Sequence, residues 1–150
     1  MTSRPDRLRP RVFIDADALF AGSASPTGAS HLILQLGELR IIDLFASVQV
    51  RIEVERNLAA KLPAALPAFR AIAAAACQPA AEPDPVAVQS LRASGEADPS
   101  DAAILAAALA SGCRWLVTFN TRDYRAGEAL TVATPGEFMR QLREQLLALA

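Results

Sequence analysis

Acidic side chains at the ends of predicted strands and helices are the groups in this sequence best suited to chemistry. Asp15 and Asp17 interrupt the apolar stretch VFIDADALF, Glu53 lies in a predicted helix, and Asp101 lies in the first turn of another. Burying a carboxylate is costly unless it is paired or bound to a cation. Hard oxygen ligands suit Mg²⁺ or Mn²⁺. Taken singly, each acid is equally compatible with a turn, a helix cap or a solvated helix face.

Further polar side chains follow the same pattern. Asp98 precedes Asp101 in the segment EADPSD, and Thr118, Asn120 and Asp123 follow the apolar segment WLV. The amide of Asn120 can both donate and accept hydrogen bonds, which suits the positioning of a substrate or a ligand. Asn is also a common turn residue. The order of these residues along the chain, rather than any one of them, therefore indicates a site.

The elements that must position these side chains alternate between strand and helix. Apolar, β-branched stretches predict strands at 11–14, 41–46, 114–120 and 130–134. Helical spacing of apolar residues predicts helices at 29–40, 47–62, 65–77, 86–93, 100–113 and 135–150, with a loop at 78–85. This alternation predicts one α/β domain with a central parallel sheet and helices on both faces. Ligands gather at the carboxyl ends of such strands, where Asp15 and Asn120 are expected.

Composition sets the class of the protein. The chain has 150 residues, 52% of them hydrophobic, and a formal net charge of -1, so it has no overall basic field of the kind that attracts nucleic acids.

Residues 1–10 are polar and are expected to be a flexible arm before a domain spanning 11–150. Cys77 and Cys113 are expected to be reduced and buried. The absence of a signal-like or membrane-spanning segment predicts a cytoplasmic protein that does not associate with membranes.

Three blocks of the sequence together resemble the PIN-domain (PilT N-terminus) nucleases, in particular their toxin-like single-domain branch. The blocks are FIDADALF, then SVQVRIEVERNL with Ser47, Glu53 and Leu58 in register, and then DAAILAAALASGCRWLVTFN. The last block is the most specific. The resemblance extends from Val12 to about Phe138 and implies a PIN-like fold over most of the chain.

The resemblance implies a divalent-metal-dependent endoribonuclease that uses Mg²⁺ or Mn²⁺. The residues at the family's ligand positions are Asp15, Glu53 and Asp101. Asp98 is expected to assist. Asn120 stands where the family often has a fourth acid and is expected to belong to the catalytic set, with Asp123 three residues further on. Asp17 stands where the family usually has a neutral polar residue, so it adds negative charge to the site.

RNA is the substrate that the resemblance implies, and four arginines are expected to hold its backbone: Arg51, Arg56, Arg122 and Arg125. The resemblance also suggests the toxin of a toxin–antitoxin pair, with an antitoxin protein as partner. A homodimer is expected as well. The apolar residues Leu142, Leu146 and Leu149 of the last helix suit either a dimer interface or the core.

Two alternatives remain at this point. Asn120 in an acid position is compatible with a catalytically impaired PIN-fold domain that binds or regulates. The motif FIDAD also matches phosphotransferases of the haloacid-dehalogenase type, with Asp15 as nucleophile and Asp17 as general acid. That chemistry needs a lysine, and the single lysine, Lys61, is poorly placed for it. His31 is interpreted as structural, because no partner for catalysis lies near it in the sequence.

Overall fold

The fold is known from a computed structural model, which describes residues 9–125 and 127–149. The strands are β1 (Arg11–Ile14), β2 (Asp43–Ala46), β3 (Cys77–Pro79), β4 (Trp115–Val117) and β5 (Thr131–Ala133). The helices are α1 (Ala16–Ala24), α2 (Ala29–Glu38), α3 (Val48–Lys61), α4 (Leu66–Ala76), α5 (Pro85–Ser94), α6 (Ala102–Ala110) and α7 (Pro135–Ala148). Short 3-10 turns cover Pro63–Ala65 and Thr121–Asp123.

The strands form one sheet in the order β3-β2-β1-β4-β5, and every neighbouring pair is parallel. This confirms the prediction of an α/β domain built on a parallel sheet. The chain moves outward from β1 through β2 to β3, then crosses back to pair β4 with the other side of β1. The reversal creates a crevice at the carboxyl ends of β1 and β4, the position where open α/β sheets bind ligands.

Helix α3 shows how the local sequence sets an element that carries a candidate residue. The Ser47 hydroxyl accepts a hydrogen bond from the Val50 N–H at 3.2 Å, which caps the helix as predicted. The stripe of Val50, Val54 and Leu58 is fully buried. Because Glu53 precedes Val54 on this helix, the buried stripe fixes the side of α3 from which Glu53 projects.

Several elements differ from the sequence prediction. Helix α1 was not predicted, because its segment contains Gly22 and Ser23 and leads into the turn residues after Ala24. Strand β3 lies in a segment predicted as helix end and loop. It is an edge strand, where Pro79 costs no ladder hydrogen bond to a further strand. Leu109 lies on the apolar helix predicted at 100–113, but it is 37% exposed.

The remaining expectations about organisation have mixed outcomes. Residues 1–8 of the predicted arm lie outside the described residues, so the arm and the boundary at residue 11 stay predictions. Cys77 and Cys113 are buried free thiols, as expected. On the last helix, Leu142 is buried, whereas Leu146 and Leu149 are exposed. Among the described residues, none of the helices has the length and apolar character needed to cross a bilayer.

Candidate active site

Asp15 lies where β1 ends, directly beside β4. Ile14 pairs with Val117 in the sheet, and the Asp15 N–H donates to the Val117 carbonyl at 2.9 Å. The next residue after β4 is Thr118, whose side chain is fully buried. Parallel pairing therefore brings the residues that follow the two strands into contact, as the sequence predicted for the carboxyl edge of the sheet.

The Asp15 carboxylate is buried and accepts hydrogen bonds from three groups. Its Oδ1 atom accepts the Ala16 N–H at 2.8 Å, where helix α1 begins. Its Oδ2 atom accepts the Thr118 hydroxyl at 3.0 Å and the Tyr124 hydroxyl at 3.1 Å. These bonds fix the orientation of the carboxylate and offset part of the cost of burying it.

Asp17 anchors the turn after β4. Its Oδ1 accepts the Ala18 N–H at 2.6 Å, and its Oδ2 accepts the Phe119 N–H and the Asn120 side-chain amide, each at 3.1 Å. Partial burial and the nearby Asp15 carboxylate raise the pKa of Asp17. Asp17 and Asn120 thus contact each other directly, and Asn120 places an amide donor where a fourth carboxylate would add negative charge.

Glu53 and Asp101 approach Asp15 from two helices. Burial, followed by the charge of Asp15, raises the pKa of Glu53, and the Arg56 guanidinium partly offsets this rise. Asp101 is half-buried. It directly precedes helix α6 instead of lying in the first turn, as predicted, and its side chain makes no capping hydrogen bond. Burial raises the pKa of Asp101 most, and the charges of neighbouring acids raise it further, to about 6. Among these acids Asp15 has the largest effect. The repulsion among these residues shows that they share one electrostatic environment.

The accessory acids lie around Asp101. Asp123 and Asp98 both contribute to the raised pKa of Asp101. Asp98 is exposed and turns toward its own loop, where its Oδ1 accepts the Ser100 hydroxyl at 2.8 Å and the Ser100 N–H at 3.1 Å. These bonds lower the pKa of Asp98. Its contribution to the site is therefore negative charge near Asp101 rather than a freely oriented carboxylate.

Two observations bear on whether these residues fit a metal ion. Across residues 9–125 and 127–149, no three Asp, Glu, His or Cys side chains lie close enough together to hold an ion. The donors that repel one another, however, are all carboxylates, which is the chemistry that Mg²⁺ and Mn²⁺ select. Mg²⁺ commonly uses one or two carboxylates together with water and substrate phosphate. A cation between these carboxylates would relieve the repulsion that raises the pKa of Glu53 and Asp101, so the donor set fits a hard divalent ion.

An open cavity of about 730 Å³ adjoins the acids, with Glu53 and Asp101 on its lining. Ile52 of α3 lines it too, although 48% of that side chain is exposed, and Ile104 of α6 lines it with its side chain almost fully buried. Arg56 adds a positive charge to the lining. This volume lies within the range that accommodates small organic ligands.

The four predicted RNA-binding arginines have different surroundings. Arg56 borders the cavity, and Arg122 and Arg125 are exposed on the segment after β4. Arg51 instead donates to the carbonyl of Cys77, the first residue of β3, at 3.2 Å. Glu55, four residues after Arg51 on the same helix, pairs with Arg70 at 2.8 Å.

Comparison with known proteins decides the family. A family model described as the PIN domain matches residues 11–122, which is well over half of the chain. The chain belongs to the PIN domain family. PIN domains are generally nucleases and typically use divalent metals. The fold is similar to that in the crystal structure of PAE2754 from Pyrobaculum aerophilum, with a TM-score of 0.65 and 17% identity over 89% of this chain and 90% of that one. No curated protein sequence matches the chain.

In this PIN domain, sequence reasoning did not assign roles to two residues that contact Asp15. Thr118 was noted only as a polar residue at a strand end, and Tyr124 was not considered. The signal for Tyr124 was its position, since it is the single tyrosine of the chain and directly follows Asp123. His31 was interpreted as structural, and its Nδ1 atom lies 3.1 Å from the Gly22 carbonyl, a contact between helices α1 and α2.

Proposed function

We propose that this PIN domain is a divalent-metal-dependent endoribonuclease whose site lies at the carboxyl ends of β1 and β4. The observation that carries the proposal is that Asp15, Glu53 and Asp101 lie close enough to repel one another; burial first, and then this repulsion, raises the pKa of Glu53 and raises that of Asp101 to about 6. A fold that keeps like charges together at the expected ligand-binding edge of its sheet is best explained by a cation that binds there.

The ligands proposed for Mg²⁺ or Mn²⁺ come from Asp15, Glu53 and Asp101: one or two of them bind the ion directly, and the remaining acids, with Asp98 and Asp123, add negative charge. A bound divalent cation supplies Lewis-acid polarisation of the scissile phosphate and lowers the pKa of a coordinated water. Asp17 and Asn120 position the turn after β4 at the edge of this site. Arg56 is proposed to neutralise a phosphate of the RNA, because it faces the same cavity as Glu53 and Asp101.

The adjoining cavity supports a single-stranded substrate. An RNA phosphate at the carboxylates would place the neighbouring nucleoside in this cavity, beside Ile52 and Ile104. A base can enter such a space only when it is unstacked and unpaired. Arg122 and Arg125 are proposed to contact the backbone further along, whereas Arg51 is engaged with Cys77. The toxin role, the antitoxin partner, the homodimer and the cytoplasmic location stay predictions from the sequence.

Replacement of Asp101 provides the test. Asp101→Asn keeps the size of the side chain and breaks no capping hydrogen bond, so the fold should persist. We expect Mn²⁺-dependent cleavage of a fluorescent single-stranded RNA to fall by about 100-fold or more, since charge stabilisation at a reacting group has effects of this size. Glu38→Gln, at an exposed acid on α2, is the matched control and should cleave normally.

Two results would contradict the proposal. One is unchanged cleavage by Asp101→Asn at limiting Mn²⁺, and the other is cleavage by the wild-type protein that continues at the same rate in EDTA. A well-folded wild-type protein that neither binds Mn²⁺ nor cleaves RNA would favour the second candidate, an impaired PIN domain. The observation behind that candidate is Asn120, whose amide donates to Asp17 in place of a fourth carboxylate.

The phosphotransferase alternative has no remaining support. The PIN-domain match covers residues 11–122 and therefore includes the FIDAD segment. Both carboxylate oxygens of Asp17 accept hydrogen bonds from the backbone, those of Ala18 and Phe119. Lys61 lies with its Nζ atom 5.9 Å from the centre of the Phe20 ring.

A further inference from the structure

Tyr124 contacts Asp15 through its side chain and the segment before Asp101 through its backbone. It follows the short turn Thr121–Asp123, and only 5% of it is exposed. Its hydroxyl donates to Asp15 Oδ2 at 3.1 Å. A buried phenol normally keeps a hydrogen-bond partner, and here the partner is the carboxylate proposed to bind the cation.

The backbone around Tyr124 forms a small clip, residues 96–98 paired with residues 123–125. Tyr124 makes an antiparallel bridge with Ala97. The Asp98 N–H donates to the Asp123 carbonyl at 2.9 Å, and the Arg125 N–H donates to the Glu96 carbonyl. The clip thus holds the chain that leads into Asp101 against the chain that follows β4.

The Asp98 end of this clip connects to Asp101 through a tight turn. The Asp101 N–H donates to the Asp98 carbonyl at 2.8 Å, and Asp98 also accepts two hydrogen bonds from Ser100. The backbone path from Tyr124 to Asp101 is therefore short and hydrogen-bonded throughout.

We propose that Tyr124 is a positioning residue, whose hydroxyl orients the Asp15 carboxylate and whose clip holds the Asp101 loop at the same site. The inference rests on the proposed function, because the property that Tyr124 serves is cation binding by Asp15 and Asp101. The Asp15 Oδ2 atom accepts two hydrogen bonds, from the Thr118 and Tyr124 hydroxyls, whereas Oδ1 accepts one, from the Ala16 N–H. The Oδ1 atom therefore has more free capacity to bind the cation. Partners of this kind commonly tune metal affinity by 10- to 100-fold.

The variant Tyr124→Phe removes the hydroxyl and keeps the buried ring. We expect the dissociation constant for Mn²⁺, measured by isothermal titration calorimetry without RNA, to rise by about 10- to 100-fold. At saturating Mn²⁺ the kcat for RNA cleavage should change much less, because in this proposal Tyr124 acts only by orienting Asp15. Ser23→Ala is the matched control, since it removes a hydroxyl that donates to the Leu19 carbonyl within α1 and should leave the Mn²⁺ affinity unchanged.

Hydrogen–deuterium exchange of the metal-free protein tests the clip independently of metal. In Tyr124→Phe we expect the amides of Asp98 and Arg125 to exchange about tenfold faster, since a hydrogen bond to a charged group is lost. The amides in the middle of α3 should exchange at the wild-type rate. A general loss of stability would instead accelerate all of them together.

The outcomes separate this inference from the function on which it rests. Wild-type protein that binds no Mn²⁺ contradicts the proposed function, and exchange at Asp98 and Arg125 then decides whether Tyr124 holds the clip. Wild-type binding with unchanged affinity and unchanged exchange in Tyr124→Phe overturns the inference and leaves the proposed function intact. Weaker Mn²⁺ binding with local acceleration of exchange supports both.

Discussion

A half-buried carboxylate beside other carboxylates holds its proton more tightly than it would in water, and Asp101 shows this effect most clearly. Burial and the charges of neighbouring acids raise its pKa to about 6 from an ordinary value of 3.8. In contrast, Asp98 is three residues away and has a lowered pKa, because Ser100 donates two hydrogen bonds to it. The pKa values of the two acids are therefore shifted in opposite directions, so Asp98 loses its proton at a lower pH than Asp101 does.

The raised pKa of Asp101 predicts how stability depends on pH in the absence of metal. Between about pH 4 and pH 6 the folded state keeps a proton on Asp101 that the unfolded state has lost, so stability falls as pH rises through this window. Asp17 and Glu53 shift in the same direction. We expect Asp101→Asn to be more stable than the wild type at pH 7 in EDTA, and this difference to shrink toward pH 4.

Urea denaturation at pH 4, 5, 6 and 7 in EDTA measures this difference. Glu38→Gln provides the comparison for removal of an exposed acid. Equal free energies of unfolding for wild type and Asp101→Asn at every pH would show that Asp101 is not destabilised by its neighbours. Gain of stability together with loss of cleavage would identify Asp101 as a residue whose charge is kept at a cost to the fold.

At the level of elements, helix α2 packs very closely against β2 and the end of α4. A Cβ atom added at Gly37 would be 2.7 Å from the Ala76 carbonyl oxygen and 3.1 Å from the Leu44 Cβ atom. The closest of these atoms belongs to the backbone and cannot rotate away. Helix α2 can approach β2 this closely because residue 37 has no side chain.

Substitution of this glycine tests the packing. Gly37→Ala should lower the free energy of unfolding by about 1–3 kcal/mol, as overpacked cores do. The control is Gly136→Ala in the first turn of α7, where a Cβ atom would meet nothing within 4 Å. That change should be neutral or stabilise the protein by up to about 1 kcal/mol, because alanine favours the helix. Urea denaturation measures both, and similar values for the two variants would contradict the packing argument.

How much of these elements the sequence predicts depends on whether their signals are local. The stripe of Val50, Val54 and Leu58 and the Ser47 cap predicted α3 correctly, since both signals lie within the helix. Helix α1 was missed, because Gly22 and Ser23 disfavour a helix locally and tertiary packing decides the outcome. Strand β3 was missed because it forms only by pairing with the distant β2.

The same distinction applies to the site. Family-like spacing led to Asp15, Glu53 and Asp101, and the structure couples these three electrostatically. The hydrogen bond between Tyr124 and Asp15 joins residues 109 positions apart, and no sequence motif predicts it. The hydrogen bond from Arg51 to the Cys77 carbonyl was equally unpredictable, since it depends on β3. Residue types can be read along the chain, whereas their partners depend on the sheet order.

For the whole molecule, the net charge of -1 conceals an uneven distribution. Acids from distant parts of the chain meet at one edge of the sheet, where Asp15, Glu53 and Asp101 repel one another. The unfolded chain separates these residues and has no preformed site. A cation that binds the folded state alone must therefore stabilise the entire domain, by an amount that its affinity and concentration set.

This linkage predicts a thermal shift with divalent metal. At a free Mn²⁺ concentration about 100 times the dissociation constant, the folded state should gain about 2.7 kcal/mol. For a domain of this size that gain raises the Tm by roughly 5–10 °C, measured by differential scanning fluorimetry. NaCl at matched ionic strength should not reproduce the shift, because it only screens the carboxylates. Asp101→Asn should lose most of the Mn²⁺-induced rise while starting from an equal or higher Tm in EDTA, whereas Glu38→Gln should keep it. A rise of the same size in Asp101→Asn would show that Mn²⁺ acts elsewhere on the protein, and it would remove the electrostatic basis for placing catalysis at this edge of the sheet.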